Sequence, residues 1–265
     1  MKKLVLALSA IAAFTGSAIA ADLPARTYSK APAMVAAVPN WTGCYVGGGG
    51  GFGVWNQENT GFDDAAVIRG TGPRVQITDT STAGGRGYFG TVQGGCDYQF
   101  AGMGQQFVIG AQADYDFSSL KGHLNLPNSS LFGDEKQSSS WAAGGRIGWL
   151  AFPTLLTYFS AGYTQAQFDR VDFHNNLAPA AIQFMNSRTY NGWYLGAGDE
   201  YALSFLPGLF WKTEYRVAEY NRKTNPFFEV DGPCFCSFDS KKWVQTVRSE
   251  LVYRFNWGGP VVAKY

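Results

Sequence analysis

The chain has 265 residues and a formal net charge of +1, with only 15% charged side chains but Gly 33, Phe 20, Tyr 14 and Trp 8. So even a balance excludes the basic surface that nucleic-acid binding requires, because phosphate contacts come from clustered Lys and Arg. Beyond an N-terminal leader no apolar run reaches the roughly 18 residues of a helical span, so a membrane crossing would have to be made by strands closed into a barrel.

Lys2 and Lys3 precede the apolar run from Leu4 to Phe14, and Ser17-Ala18-Ile19-Ala20 ends in the small-x-small pattern that a signal peptidase cuts. Residues 1–20 are therefore expected to be a signal peptide, whose loss with Lys2 and Lys3 leaves 19 basic against 20 acidic side chains. Residues 21–40 carry Pro24, Pro32 and Pro39 without any period. They read as a flexible periplasmic spacer, with contact to the cell wall as the alternative. Residues 41–265 are expected to form one barrel domain.

The first strand covers 41–55, with Cys44, Val46, Gly48, Gly50, Phe52 and Val54 on one parity. Its glycine run, Gly47 to Gly51, lacks the Lys-Ser/Thr of a phosphate loop, which argues against nucleotide binding. A polar stretch, 56–83, leads to a second strand over 86–100. The third, 107–117, alternates most cleanly, with Phe107, Ile109, Ala111, Ala113, Tyr115 and Phe117 opposing Val108, Gly110, Gln112, Asp114 and Asp116.

Residues 120–138 read as loop. Strand four spans 139–150, with Trp141, Ile147 and Trp149 against Arg146. Strand five, 155–168, is apolar on both parities, so its faces stay unassigned. After a polar segment at 169–188, strand six (189–203) sets Trp193, Leu195, Ala197, Tyr201 and Leu203 against Tyr194, Gly196, Gly198 and Glu200. Strand seven (209–221) sets Trp211, Thr213, Tyr215 and Val217 against Lys212, Glu214 and Arg216, and 222–240 is the fourth long loop. The last strand, 243–255, alternates Trp243, Gln245, Val247, Ser249, Leu251, Tyr253 and Phe255 with Val244, Thr246, Arg248, Glu250, Val252 and Arg254.

Two media fit such strands: water on the charged side of a soluble sandwich, or lipid on the apolar side of a membrane barrel. The order of connections decides between them. Long and short links alternate strictly, putting every long loop at one end and every short turn with both termini at the other, as in an even-stranded outer-membrane barrel. The expected fold is all-β: an eight-stranded antiparallel up-and-down transmembrane β-barrel with long extracellular loops and short periplasmic turns.

Trp41-Thr42-Gly43-Cys44-Tyr45-Val46-Gly47, Gly192-Trp193-Tyr194-Leu195-Gly196-Ala197-Gly198-Asp199-Glu200-Tyr201, and Val247-Arg248 with Tyr253-Arg254-Phe255 carry a resemblance. In these motifs the chain resembles the small eight-stranded outer-membrane proteins of alphaproteobacteria, the outer-membrane immunogenic or porin-family group related to OmpA-type barrels. The resemblance implies an outer-membrane location, contact with membrane lipid and lipopolysaccharide, and handling by the barrel-assembly machinery. Cys44 stands where that group is usually aromatic. Asp199 stands where a branched apolar residue is common, and falls on the lipid-facing parity. The tail 256–265 runs past Phe255, so the terminal aromatic of an assembly signal is Tyr265 or Phe255.

The wet parity supplies Gln112, Asp114, Asp116, Arg146, Glu200, Lys212, Glu214, Arg216, Arg248, Glu250 and Arg254. Eight strands enclose a lumen that side chains just fill, so these charges are expected to pair into a plug, with a narrow ion path as the alternative. Pairing Trp55 with Gly85 across the first loop sets Cys44 opposite Cys96, where the periplasm would allow a disulfide. Cys234 and Cys236 would then pair with each other or stay reduced, and a Cys-x-Cys without a nearby His does not indicate metal. No cofactor is expected. With His123 and His174 both in loops, a catalytic triad has no framework, and the expected role is structural and surface-exposed rather than enzymatic. Loop-based ligand binding, haem included, is the other alternative.

Overall fold

The computed structural model describes residues 39–126, 130–230, 232 and 234–255. The expected signal peptide (1–20), nearly all of the spacer (21–40) and the tail (256–265) lie outside the described residues. The elements are β1(Gly43–Asp63), a single helical turn α1(Ala65–Ile68), β2(Val75–Gln76), β3(Ser81–Gly102), β4(Gln105–Asn125), β5(Phe132–Phe152), β6(Leu155–Phe168), β7(Val171–Asn175), β8(Ala178–Met185), β9(Arg188–Ala202), β10(Leu209–Pro226), β11(Phe228–Glu229) and β12(Cys236–Phe255).

Among the described residues there are twelve strands rather than the eight expected. Eight of them are long and pair antiparallel in the cyclic order β1, β3, β4, β5, β6, β9, β10, β12 and back to β1. The β5–β6 ladder closes this ring, which leaves no unpaired edge in hydrocarbon. The other four are short and belong to the long connections: β2 pairs β1, β7 pairs β5 and β8, and β11 pairs β8. The segments read from sequence as loops at 56–83, 120–138, 169–188 and 222–240 are in large part strand. β4, β5, β10 and β12 run on past the expected ends, and β7 and β8 fold back on them. Their polar composition reflects exposure to water on the outer side, not loss of pairing. A small core of Leu124, Val171, Phe173, Met185, Phe227 and Phe238 holds this extension together.

At the opposite end the links are tight. Between β3 and β4, Met103 (φ 49°) and Gly104 (φ 75°) both take positive φ, the geometry of a two-residue hairpin turn matched to strand twist.

Strand alternation sorts the side chains into two media. On β12, Thr246, Arg248, Glu250, Val252 and Arg254 are buried inside, while Val247, Leu251, Tyr253 and Phe255 face out. β6 is resolved here: Leu156, Tyr158, Ser160, Thr164, Ala166 and Phe168 face inward, and Phe159, Ala161 and Tyr163 outward. Its inner parity looked apolar because Leu156, Tyr158 and Phe168 pack into the lumen clusters. The outer wall carries two aromatic levels around an aliphatic band. Tyr98, Trp149, Tyr201, Trp211, Tyr253 and Phe255 lie toward the short turns; Tyr88, Phe117, Trp141, Tyr163, Trp193 and Tyr215 lie toward the long connections. Asp199 faces outward, two positions from Tyr201, and accepts a hydrogen bond from Thr157 Oγ1 at 2.6 Å. A carboxylate there lies beside the interfacial rings, where its cost is mild.

Two outcomes are expected from this wall. Leu195, 54% exposed in the aliphatic band, should cost about 2–4 kcal/mol as Leu195→Arg, read from unfolding midpoints in lipid vesicles. Cys44 and Cys96, opposite one another on β1 and β3 and joined in a disulfide, should contribute about 2–4 kcal/mol, lost in Cys44→Ser and seen as a lower unfolding midpoint.

Candidate functional site

The lumen is where ionisable groups converge. The described residues place seven buried carboxylates there (Asp97, Asp114, Asp116, Glu135, Glu200, Glu214, Glu250) with six buried cations (Arg146, Lys212, Arg216, Lys242, Arg248, Arg254). So near a balance favours pairing within the lumen over attraction of one ion type. The inward parity of β3, β4, β5, β9, β10 and β12 positions them, and glycines on neighbouring strands leave room. A Cβ at Gly110 would collide with Asp97 Oδ1, and one at Gly196 would lie 2.5 Å from Ser160 Oγ and 3.0 Å from Glu214 Oε1.

Nearest the short turns, four charges form a closed cycle. Arg146 donates from Nε to Asp97 Oδ1 at 2.9 Å and from Nη1 to Glu200 Oε2 at 2.9 Å. Arg254 donates from Nη1 to Asp97 Oδ2 at 2.6 Å and from Nη2 to Glu200 Oε1 at 2.7 Å. All four side chains are 0% exposed. Each guanidinium thus bridges both carboxylates, which fixes geometry as well as charge. Aromatic rings enclose the cycle: the Tyr45 ring lies 4.8 Å from the Arg146 guanidinium and 4.9 Å from that of Arg254. The Trp41 ring lies 5.1 Å from the Arg254 guanidinium and, tilted by 55°, 4.7 Å from the Phe210 ring, and the Trp41 carbonyl accepts from Arg254 Nη1 at 3.1 Å. The mouth at this end is therefore covered by an indole.

Above it lies a second group. Lys212 Nζ donates to Gln93 Oε1 at 2.6 Å and approaches Glu250 at 3.5 Å, while Gln93 Nε2 donates to Glu250 Oε2 at 2.6 Å. Arg216 donates to Glu214 Oε1 at 2.8 Å and to Asp114 Oδ1 at 3.0 Å, and Tyr158 Oη donates to Glu214 Oε2 at 2.8 Å. Arg248 bridges Asp114 at 3.1 Å and Asp116 at 2.9 Å. Nearest the long connections Lys242 donates to Glu135 Oε1 at 2.8 Å and to Gln57, with the Phe168 ring 4.2 Å from its ammonium. A cavity of about 20 Å³ beside Asp114, Asp116, Arg216 and Arg248 has the volume of one water molecule.

Every lumen residue named from sequence lies inside, and all join this network. Six partners fall outside that set: Asp97, Gln93, Tyr158, Gln57, Glu135 and Lys242. Asp97 and Gln93 share the wet parity of β3, a readable signal; Tyr158 belongs to the strand whose faces the sequence leaves unassigned, Gln57 and Glu135 fall in the stretches expected at 56–83 and 120–138, and Lys242 falls between the loop expected at 222–240 and the strand expected from 243. Cys234 and Cys236 are joined to each other. His123 lies on β4 and His174 on β7, not in irregular loop. His123 Nδ1 pairs with Asp134 at 2.5 Å on the outer wall, with side chains 80% and 71% exposed, so that pair has none of the burial that activates a catalytic base.

No protein-family model matches the chain. Over 261 residues it is 30% identical to a 31 kDa outer-membrane immunogenic protein of Brucella melitensis biotype 1, covering 96% of this chain and 100% of that one; the protein of the same name from Brucella suis biovar 1 gives the same figures. Among solved structures, Ail of Yersinia pestis has TM-score 0.33 and 10% identity over 80% of this chain and 99% of that chain. Neisserial surface protein A has TM-score 0.36 and 14% identity over 77% and 97%.

Because each guanidinium of the four-charge cycle holds two carboxylates, removing one should expose the cost of burying the rest. Arg146→Ala should lower unfolding stability by about 3–5 kcal/mol. A loss no larger than that of an exposed substitution would show that water screens the cycle.

Proposed function

We propose that this chain, which belongs to the family of the 31 kDa outer-membrane immunogenic proteins and resides in the outer membrane in contact with its lipids, is a sealed structural barrel that displays surface antigen and carries out no chemistry. The observation that supports the sealed lumen is the cycle of Arg146, Asp97, Arg254 and Glu200 under Trp41, four charges with no exposed side-chain surface. An ion entering from the short-turn side would have to displace Trp41 and then break charge-assisted bonds in a low-dielectric interior. An eight-stranded lumen holds its side chains and little else.

Display follows from the extension. The paired segments of β1, β3, β4, β5, β10 and β12 that continue past the outer aromatic level, with β7 and β8 folded onto them, carry backbone and side chains into the exterior as ordered sheet. Such a surface presents conformational rather than linear determinants. Biogenesis through the barrel-assembly machinery and a spacer role for residues 21–40 belong to the same reading. A narrow porin is the competing outcome.

Planar-bilayer recording tests the seal. The purified folded barrel should give no discrete openings, whereas a variant with Arg146, Asp97, Arg254 and Glu200 all replaced by Ser should conduct. Steady single-channel steps from the unaltered protein would overturn the sealed lumen and favour the porin.

A further inference from the structure

One feature of the outer wall is explained neither by the fold nor by the lumen. Arg86 on β3 is directly opposite Lys121 on β4, and Lys121 is directly opposite Lys136 on β5. Three cations thus occupy one cross-strand row, all on the outward parity, with Arg86 and Lys121 exposed and Lys136 half-buried. Like charges placed directly opposite destabilise a sheet. Several other cations outside the lumen sit close to a carboxylate: Lys241 has Glu219 at 2.5 Å, Arg170 has Asp172 at 2.8 Å, and Arg74 has Asp64 at 3.2 Å and Asp239 at 3.1 Å, whereas Arg222 reaches Glu58 at 3.9 Å and Lys223 donates to the Thr189 carbonyl. Among the described residues Arg86 and Lys121 have no carboxylate within ion-pair distance, and Lys136 reaches Asp169 only at 3.9 Å.

The surroundings say what the row would hold. Arg86 is the next outward position beyond Tyr88, and Lys121 is the second beyond Phe117, with exposed Ser119 between them. Tyr88 is 74% exposed and Phe117 62%, among the most open rings of the outer aromatic level. An apolar surface in the membrane and a cationic row immediately outside it match the two halves of one amphiphile. A soluble polyanion would find no use for the rings, and a cation-binding role is excluded by the sign of the row.

We infer that Arg86, Lys121 and Lys136 form a binding site for the phosphate groups of a phosphorylated lipid in the outer leaflet, whose apolar portion lies over Tyr88 and Phe117. Row spacing supports multipoint contact, since directly opposed side chains start roughly 5 Å apart at Cβ and reach a phosphate together without rearranging the backbone. Juxtaposed to headgroups, each cation adds its own attraction, and three neighbours outcompete scattered surface charge. The inference rests on the outer-membrane placement and is independent of the sealed lumen.

The test uses the full barrel in phosphatidylcholine vesicles and measures binding of bisphosphorylated lipid A, with its dephosphorylated form and a soluble sulfated oligosaccharide as separate arms. The unaltered protein should bind the bisphosphorylated form well above the other two. The triple variant Arg86→Gln, Lys121→Gln, Lys136→Gln should bind it roughly a hundredfold more weakly, while the control triple Arg222→Gln, Lys223→Gln, Lys241→Gln should stay near the unaltered value. Migration on gels with and without boiling reports folding of each variant, and the dephosphorylated arm needs no variant at all. Equal binding of both lipid A forms, equal losses in the two triple variants, or preference for the soluble oligosaccharide would each overturn the site.

Discussion

Hydrogen bonding without water is the constraint on which the rest of this structure depends. In hydrocarbon every strand must find partners on both sides, and the β5–β6 ladder supplies the last pairing that closes the ring. Closure then imposes the interior. Eight strands make a narrow lumen, so any side chain on the inner parity is removed from water, whether apolar or charged. Charges there persist only as mutual partners, because an isolated buried ion costs far more than a pair returns. The cycle of Arg146, Asp97, Arg254 and Glu200 satisfies that condition with four charges on four different strands, β5, β3, β12 and β9.

The same closure links the lumen to the wall. Asp97 belongs to the strand that carries Cys96 outward, one position away, and the disulfide from Cys44 to Cys96 ties β1 to β3 at that level. Glu200 likewise alternates with Asp199 and Tyr201, so the residue that binds two arginines inside is flanked by a polar group and an interfacial ring outside. Shifting either strand by one residue would exchange these sets and put Glu200 into lipid, which is why register is so firmly specified here. The outer surface is not uniform either. Beyond the upper aromatic level several charges pair closely, and the row of three directly opposed cations on β3, β4 and β5 stands apart from that pattern.

Much of this was legible without coordinates. Period-two alternation gave each face of β4, β9, β10 and β12, because lipid and lumen demand opposite chemistry from adjacent residues. Alternating link lengths gave the up-and-down topology, and counting across the first loop set Cys44 against Cys96. The extent of the strands was not legible: past the membrane both faces of a strand meet water or other polypeptide, so the alternation that marks a strand in lipid fades. Glu135 lies in such a stretch, and Lys242 falls just ahead of the expected start of the last strand. β6 was ambiguous for a different one, since Leu156, Tyr158 and Phe168 fill lumen space that its neighbours leave open and mimic lipid-facing residues.

What the sequence by itself determined is which residues avoid water and which seek it, a property of each side chain and its parity along the strand. Tertiary structure alone decided who meets whom: that Arg146 and Arg254 share two carboxylates, that Trp41 covers the mouth beneath them, and that Arg86, Lys121 and Lys136 fall in one row. Those are relations between strands far apart in sequence, and they exist only once ring closure has fixed the register of every ladder at once.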